Sequence, residues 1–245
     1  MKQPLALCPE QSALGTPFSP RASAAWCMVL MVWLLTACSS LPEIKPAGPD
    51  LQPNLRERCQ SVFLAGPHQF VHSIEARLPD DSRSMALGIV TLDPGTGVIR
   101  CVIMTIEGFV FFDARYQQVV TVNRAMYPFD SPEFAKNMME DIRFIFFQPG
   151  GALVATGVFD NDFPGCRWRN SDGLAVDVVL NQQRGWLIRK YDVSDHVSGQ
   201  VRAYALNPEG IPEKIELFRQ KFPSYTLKMT LLQAERLQQG DERLK

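Results

Sequence analysis

The chain has 245 residues, and its 25 lysines and arginines against 26 aspartates and glutamates leave a net charge of −1. That balance supplies no basic excess to neutralise phosphates, which argues against a nucleic-acid partner. With 46% hydrophobic residues the chain can build one sizeable core, and a body of roughly 200 residues suits a single domain.

The first element is the apolar run Trp26 to Leu35. A bilayer span needs roughly 20 apolar residues, so this run is too short to cross one and fits the h-region of a secretory signal. Arg21 supplies the positive charge ahead of it. A core helix would show a polar face at a 3.6-residue period, and the run has none. It ends on Leu35-Thr36-Ala37-Cys38-Ser39-Ser40. Leu35 to Cys38 resembles the bacterial lipobox. The resemblance implies that residues 1–37 are removed as a signal peptide and that Cys38 is acylated and becomes the first mature residue. Loss of Lys2, Glu10 and Arg21 takes the net charge from −1 to −2. The expected product hangs from a membrane by lipid, with its body in the envelope. Stable anchoring takes more than one acyl chain, which a lipoprotein cysteine provides. Ser39, rather than aspartate, after the cysteine points to the outer membrane and a body facing the periplasm.

Residues 38–57 hold Pro42, Pro46, Pro49 and Pro53 without periodicity and are expected to form an extended tether. Strands follow. In 68–78, His68, Phe70, His72, Ile74, Ala76 and Leu78 alternate with polar residues, and 82–93 is expected to pair with it across Pro79-Asp80-Asp81. Residues 98–116 are apolar on both faces over most of their length and read as one long strand, either covered on both sides or bent midway, with Gly108 the natural bend point. Residues 131–147 break the alternation. Ser131 is a candidate N-cap and Pro132 the first helical residue, and Phe134, Met138, Ile142 and Ile145 form one stripe. Glu140 and Asp141 are expected in solvent. Alternation resumes in 173–180, 185–191, 213–218 and 225–233, between turns at 170–173, 182–185 and 207–210. A mainly β fold with α follows: a curved antiparallel sheet forming an open half-barrel with a helical lid. Cys59, Cys101 and Cys166 allow one disulfide of undetermined pairing, or three buried thiols.

The stretch Gly185-Trp186, then Ile211-Pro212-Glu213-Lys214-Ile215-Glu216-Leu217, then the alternating Tyr225 to Gln233, resembles the C-terminal end of the family of LolB, the outer-membrane lipoprotein receptor. Phe70-Val71-His72-Ser73-Ile74-Glu75, Glu107-Gly108-Phe109 and the strand starting at Cys166 extend the likeness to bacterial lipoproteins related to LolB. It covers residues 58–235 and leaves 236–245 as a charged tail. It implies an open barrel of the LolA/LolB-like superfamily, with an apolar cavity for an acyl chain or a lipoprotein's lipid. The membrane-inserting loop of that family has one candidate here, Asp160 to Cys166 with Phe163.

Two readings of the interior stand side by side: a filled core, or a cavity lined by Phe70, His72, Ile74, Met104, Phe109, Phe111, Phe134, Met138, Ile142, Trp186, Ile188, Leu217, Leu227 and Met229. The surplus of methionine and phenylalanine near the helix favours a cavity, since such side chains adapt to irregular ligands. A filled core would instead suit an accessory acting through an envelope protein partner. His72 is either a core residue or a polar handle on a ligand. No metal spacing, nucleotide loop or nucleophile motif occurs, and His72 and Ser73 point to opposite faces of one strand, so neither catalysis nor a cofactor is expected.

Overall fold

The computed structural model describes residues 41–48, 52–78, 80–159, 162–181, 185–220, 224–238 and 240–244. The signal segment with Cys38, Pro79 of the first turn and residues 182–184 lie outside them. The elements in chain order are β1 (Ile44–Lys45), α1 (Gln52–Gln60), β2 (His68–Arg77), β3 (Arg83–Asp93), β4 (Val98–Met104), β5 (Val110–Gln117) and β6 (Val119–Ala125). Then come α2 (Pro132–Phe146), β7 (Ala152–Phe159), β8 (Pro164–Arg169), β9 (Ala175–Asn181), β10 (Gly185–Tyr191), β11 (Val197–Leu206), β12 (Pro212–Arg219), β13 (Tyr225–Arg236) and a 3₁₀ turn (Glu242–Leu244).

All strands join one antiparallel sheet in the order β1-β7-β8-β9-β10-β11-β12-β13-β2-β3-β4-β5-β6. The first and last strands of that order do not pair with each other, so the sheet stays open. Its inner face carries Phe70, Val90, Ile99, Phe112, Val178, Ile188, Val201, Ile215 and Leu217, and α2 packs against these residues. This is the open half-barrel with a helix across it that period-2 alternation and one period-3.6 stripe imply.

Helix α2 starts as its sequence dictates: Ser131 Oγ accepts from the Phe134 amide at 3.0 Å, and Pro132 follows in the first turn. Its buried stripe is Ala135, Met139, Ile142, Ile145 and Phe146, while Phe134 and Met138 are half-buried. The stripe is thus turned by about one residue from the expected 134-138-142-145 line. The cause is Asp141, which is buried rather than solvated. Its Oδ1 lies 2.8 Å from Arg219 Nε, and Tyr225 donates a hydrogen bond to its Oδ2. A charge with two partners on β12 and β13 can be turned inward, and it rotates the helix with it.

Two further expectations are corrected. Residues 98–116 are two strands, because Gly108 has a φ of +90° and the Thr105 amide donates to the Phe109 carbonyl, so the chain reverses instead of bending. The expected tether is partly folded: β1 pairs with β7, and α1 buries Leu55 and Cys59, one helical turn apart. The charged tail also folds back. Leu237 is buried, and Arg243 grips Glu235 through both carboxylate oxygens at 2.7 and 2.8 Å.

Cys59 and Cys166 form a disulfide between α1 and β8. Cys101 is a buried free thiol, pushed up to about 12 by burial, and stays protonated.

Candidate ligand cavity

The strand directions define two rims. At the lower rim β2, β8, β10 and β12 begin and β7, β9, β11 and β13 end; at the upper rim the same strands have their other ends. A void of about 480 Å³ opens at the lower rim. That size lies within the range of small-molecule pockets.

The wall is built from several directions. The segment 61–66 leaves α1 and contributes Phe63 and Leu64. The Leu64 amide donates to the Phe146 carbonyl at 3.3 Å, which fastens this segment to the end of α2. Ile145 and Phe146 come from α2, Trp186 from β10, and Ile211 and Pro212 from the turn into β12. Phe63 stands edge-on to Trp168 at 6.2 Å, directly above the disulfide-bearing strand β8. The remaining side is a stack of rings: His68 on Phe70 at 5.5 Å, and Phe70 on Phe146 at 5.1 Å, each nearly parallel. His68 Nδ1 donates to the Gly66 carbonyl at 2.8 Å, which leaves Nε2 of that ring at the mouth.

A bulge in β13 brings a positive charge to the void, which Glu209 of the turn into β12 also lines. The register slips between Leu231, opposite His72, and Gln233, opposite Val71. Leu232 is the extra residue and points to solvent. Beyond it, Ala234 lies opposite Phe70 and Arg236 opposite His68, so both face the cavity. Unbroken alternation would have placed Gln233 and Glu235 there instead. Glu235 is on the other face, held by Arg243.

Of the residues expected to line a cavity, Phe70 and Trp186 border this void. Ile142, Ile188, Leu217 and Met229 are buried in the packed core between α2 and the sheet. Ile74, Phe111, Phe134, Met138 and Leu227 are half-buried around it. Met104 lies opposite Leu87, in the register of the sheet's other face. Phe109 is half-exposed in the β4–β5 turn. His72 sits behind the ring stack, 5.8 Å from Phe70 and 6.3 Å from Phe146. Burial lowers its pKa to about 4, so it is neutral at physiological pH. Sequence reasoning missed the 61–66 wall, Ala234 and Arg236. Only the bulge, which leaves no trace in the alternation before Leu232, brings the last two inward.

At the upper rim, Ile106 and Tyr127 are 68% and 88% exposed beside Phe109 and Met126. Arg124 lies over the Phe109 ring at 5.1 Å. Of the candidate insertion loop, Phe163 is half-buried, and Asp160 and Asn161 lie outside the described residues. No helix among the described residues is long and apolar enough to cross a membrane, and no cluster of three metal-ligating side chains occurs among them.

The Asp141–Arg219–Tyr225 cluster, also at the upper rim, clasps α2 to the sheet. Desolvation raises Asp141 to about 6, against the opposing pull of Arg219 and Tyr225. The folded state therefore binds a proton more tightly than the unfolded chain. Its stabilising contribution is fully present below about pH 4 and is lost as pH rises through about 6, an effect on the order of 2–3 kcal/mol. Urea titrations at pH 5 and 7 are expected to show this slope in the wild type and a flatter profile in Asp141→Asn. An unchanged slope in the variant contradicts the assignment.

No protein-family model and no curated protein sequence matches the chain. Solved structures do match in shape. A LolA superfamily protein from Nitrosomonas europaea superimposes with a TM-score of 0.52 at 12% identity, covering 78% of this chain and 96% of that one. A putative outer membrane lipoprotein-sorting protein domain from Vibrio parahaemolyticus gives 0.47 at 10% identity, over 78% and 94% of the two chains. An open antiparallel half-barrel crossed by a helix, superimposing on nearly the whole of a LolA superfamily protein, gives this chain a LolA/LolB-like fold.

Proposed function

We propose that this chain is an outer-membrane lipoprotein, anchored through acylated Cys38, whose lower-rim cavity takes up one acyl chain and so assists the transfer or localisation of a lipid, a lipoprotein or an acyl product. The observation that carries the reading is the cavity of about 480 Å³, walled by Phe63, Phe70, Phe146 and Trp186 and open at one rim. An apolar wall of this kind favours a hydrocarbon chain by roughly 25 cal/mol for each Å² removed from water. Arg236, His68 and Glu209 line the same void and suit a polar head on that chain. The LolA-like fold supports the same class of ligand.

Ala234→Phe tests it. The added ring enters the void rather than the packed core, so stability is expected to change little. Binding of a long-chain fluorescent fatty acid, saturable in the wild type, is expected to weaken about tenfold or more, a loss of roughly 1.4 kcal/mol or more. Equal binding by the variant would place the ligand elsewhere or deny it altogether.

The second reading is an accessory that acts through a protein partner. The exposed group Ile106, Phe109, Met126 and Tyr127 favours it. It predicts that neither the wild type nor Ala234→Phe binds the fatty acid saturably.

A further inference from the structure

We infer that the chain is held to its membrane on a leash too short to let it turn, so that the cavity mouth faces the bilayer in which Cys38 is anchored. This rests on the acylation of Cys38 proposed above. The residues after that cysteine do not trail as a free linker. The Pro42 carbonyl accepts a hydrogen bond from Arg167 Nη2 at 2.9 Å. Arg167 is itself immobile: it forks onto the fully buried Asp177 at 2.6 and 2.8 Å and packs against the Phe159 ring. Two residues on, Ile44 and Lys45 pair with Phe159 and Val158. Gly157 has no side chain because one would meet the Lys45 carbonyl. Ala47 is then buried in the core. The chain is docked from Pro42 to Ala47.

Four residue steps separate Cys38 from Pro42, a reach of at most ~14 Å. The docking point is at the end of β7, where Phe159 closes the strand. That is the lower rim, the one on which the void opens. The strands are long by comparison: the ten residues of β2 span about 33 Å. The upper rim is therefore more than two leash lengths from the anchor point. A body on this leash presents its lower rim to the membrane, and a chain leaving the bilayer meets the mouth first. The upper rim, with Ile106 and Tyr127, faces away and stays available to a different surface.

The test uses the full lipoprotein in phosphatidylethanolamine–phosphatidylglycerol vesicles that carry a headgroup-attached quencher. A fluorophore is placed on Pro208→Cys, in the exposed lower-rim turn, or on Ser171→Cys, in the exposed upper-rim turn. Buried Cys101 and the Cys59–Cys166 disulfide leave the new thiol as the reactive one. Quenching is expected to be several-fold greater at 208 than at 171. A flexible Gly/Ser insert of about 20 residues after Ser40, with an r.m.s. span of about 25 Å, is expected to erase that difference. Equal quenching at the two positions without the insert overturns the inference, as does a difference that survives the insert. Intact mass reads the anchor separately: a precursor without lipid on Cys38 overturns the anchored reading itself, whatever the quenching.

Discussion

Removal of the disulfide by Cys59→Ala with Cys166→Ala is expected to lower the unfolding free energy by about 4–5 kcal/mol, because the bond closes a loop of 107 residues in the unfolded chain. Against a typical stability of about 5–15 kcal/mol this is a large fraction. The consequence is also local. Cys59 lies in the last turn of α1, and residues 61–66, one wall of the cavity, follow at once. Phe63 rests on Trp168, two residues from Cys166 in the same strand. Freeing α1 therefore loosens the wall before the sheet unfolds. The expected result is a lower urea midpoint together with weakened fatty-acid binding, in the double variant and in reduced wild type alike. A loss under about 1 kcal/mol would show that α1 is held by packing of Leu55 alone.

Met139→Asp is expected to be as damaging. Met139 is 1% exposed at the centre of the α2 stripe. A carboxylate buried there costs several kcal/mol, and the variant is expected to be insoluble or protease-sensitive. Lys136→Asp, on the exposed side of the same helix, is expected to change stability by less than about 0.5 kcal/mol. Met138→Asp falls between them, since Met138 is half-buried. Limited proteolysis of the three variants gives the ranking. Similar behaviour of Met139→Asp and Lys136→Asp would contradict the packing of α2.

The elements that could be read from the amino acids are those in which one signal dominates. The alternation in 68–78, 173–180 and 225–231 specifies β2, β9 and most of β13, and Ser131-Pro132 marks the start of α2. Strands β6, β7 and β11 were not legible. β6 is an edge strand with mostly exposed side chains, β7 carries a register shift between Leu153 and Ala155, and β11 is interrupted by Ser198, Gly199 and Gln200. Helix α1 offers two buried positions among polar residues, too few to register as a stripe; its place is set by a covalent bond to a strand 107 residues away. Asp141 misled for a related reason. Its burial depends on Arg219 and Tyr225, and no local pattern announces partners that distant.

The cavity itself was partly legible. Aromatic and methionine surplus around 104–147 pointed to an uneven interior, yet most of those side chains pack into a core or lie at the opposite rim. The void sits where a loop, a helix end and a bulged strand meet, and each of these is a tertiary outcome. Phe70 and Trp186 were found because they lie on alternating strands; Ala234 and Arg236 were not, because the bulge at Leu232 reverses the alternation just ahead of them.

Native mass spectrometry of the body from Ser39 onward, exported behind a cleavable signal that leaves no lipid anchor and purified from the periplasm in parallel with Ala234→Phe, tests the central claim most directly. The wild type is expected to carry a substoichiometric acyl-containing species that collisional activation releases, and Ala234→Phe is expected to be bare. A bare wild type, or the same adduct retained by Ala234→Phe, would contradict an acyl-binding role for the lower-rim cavity.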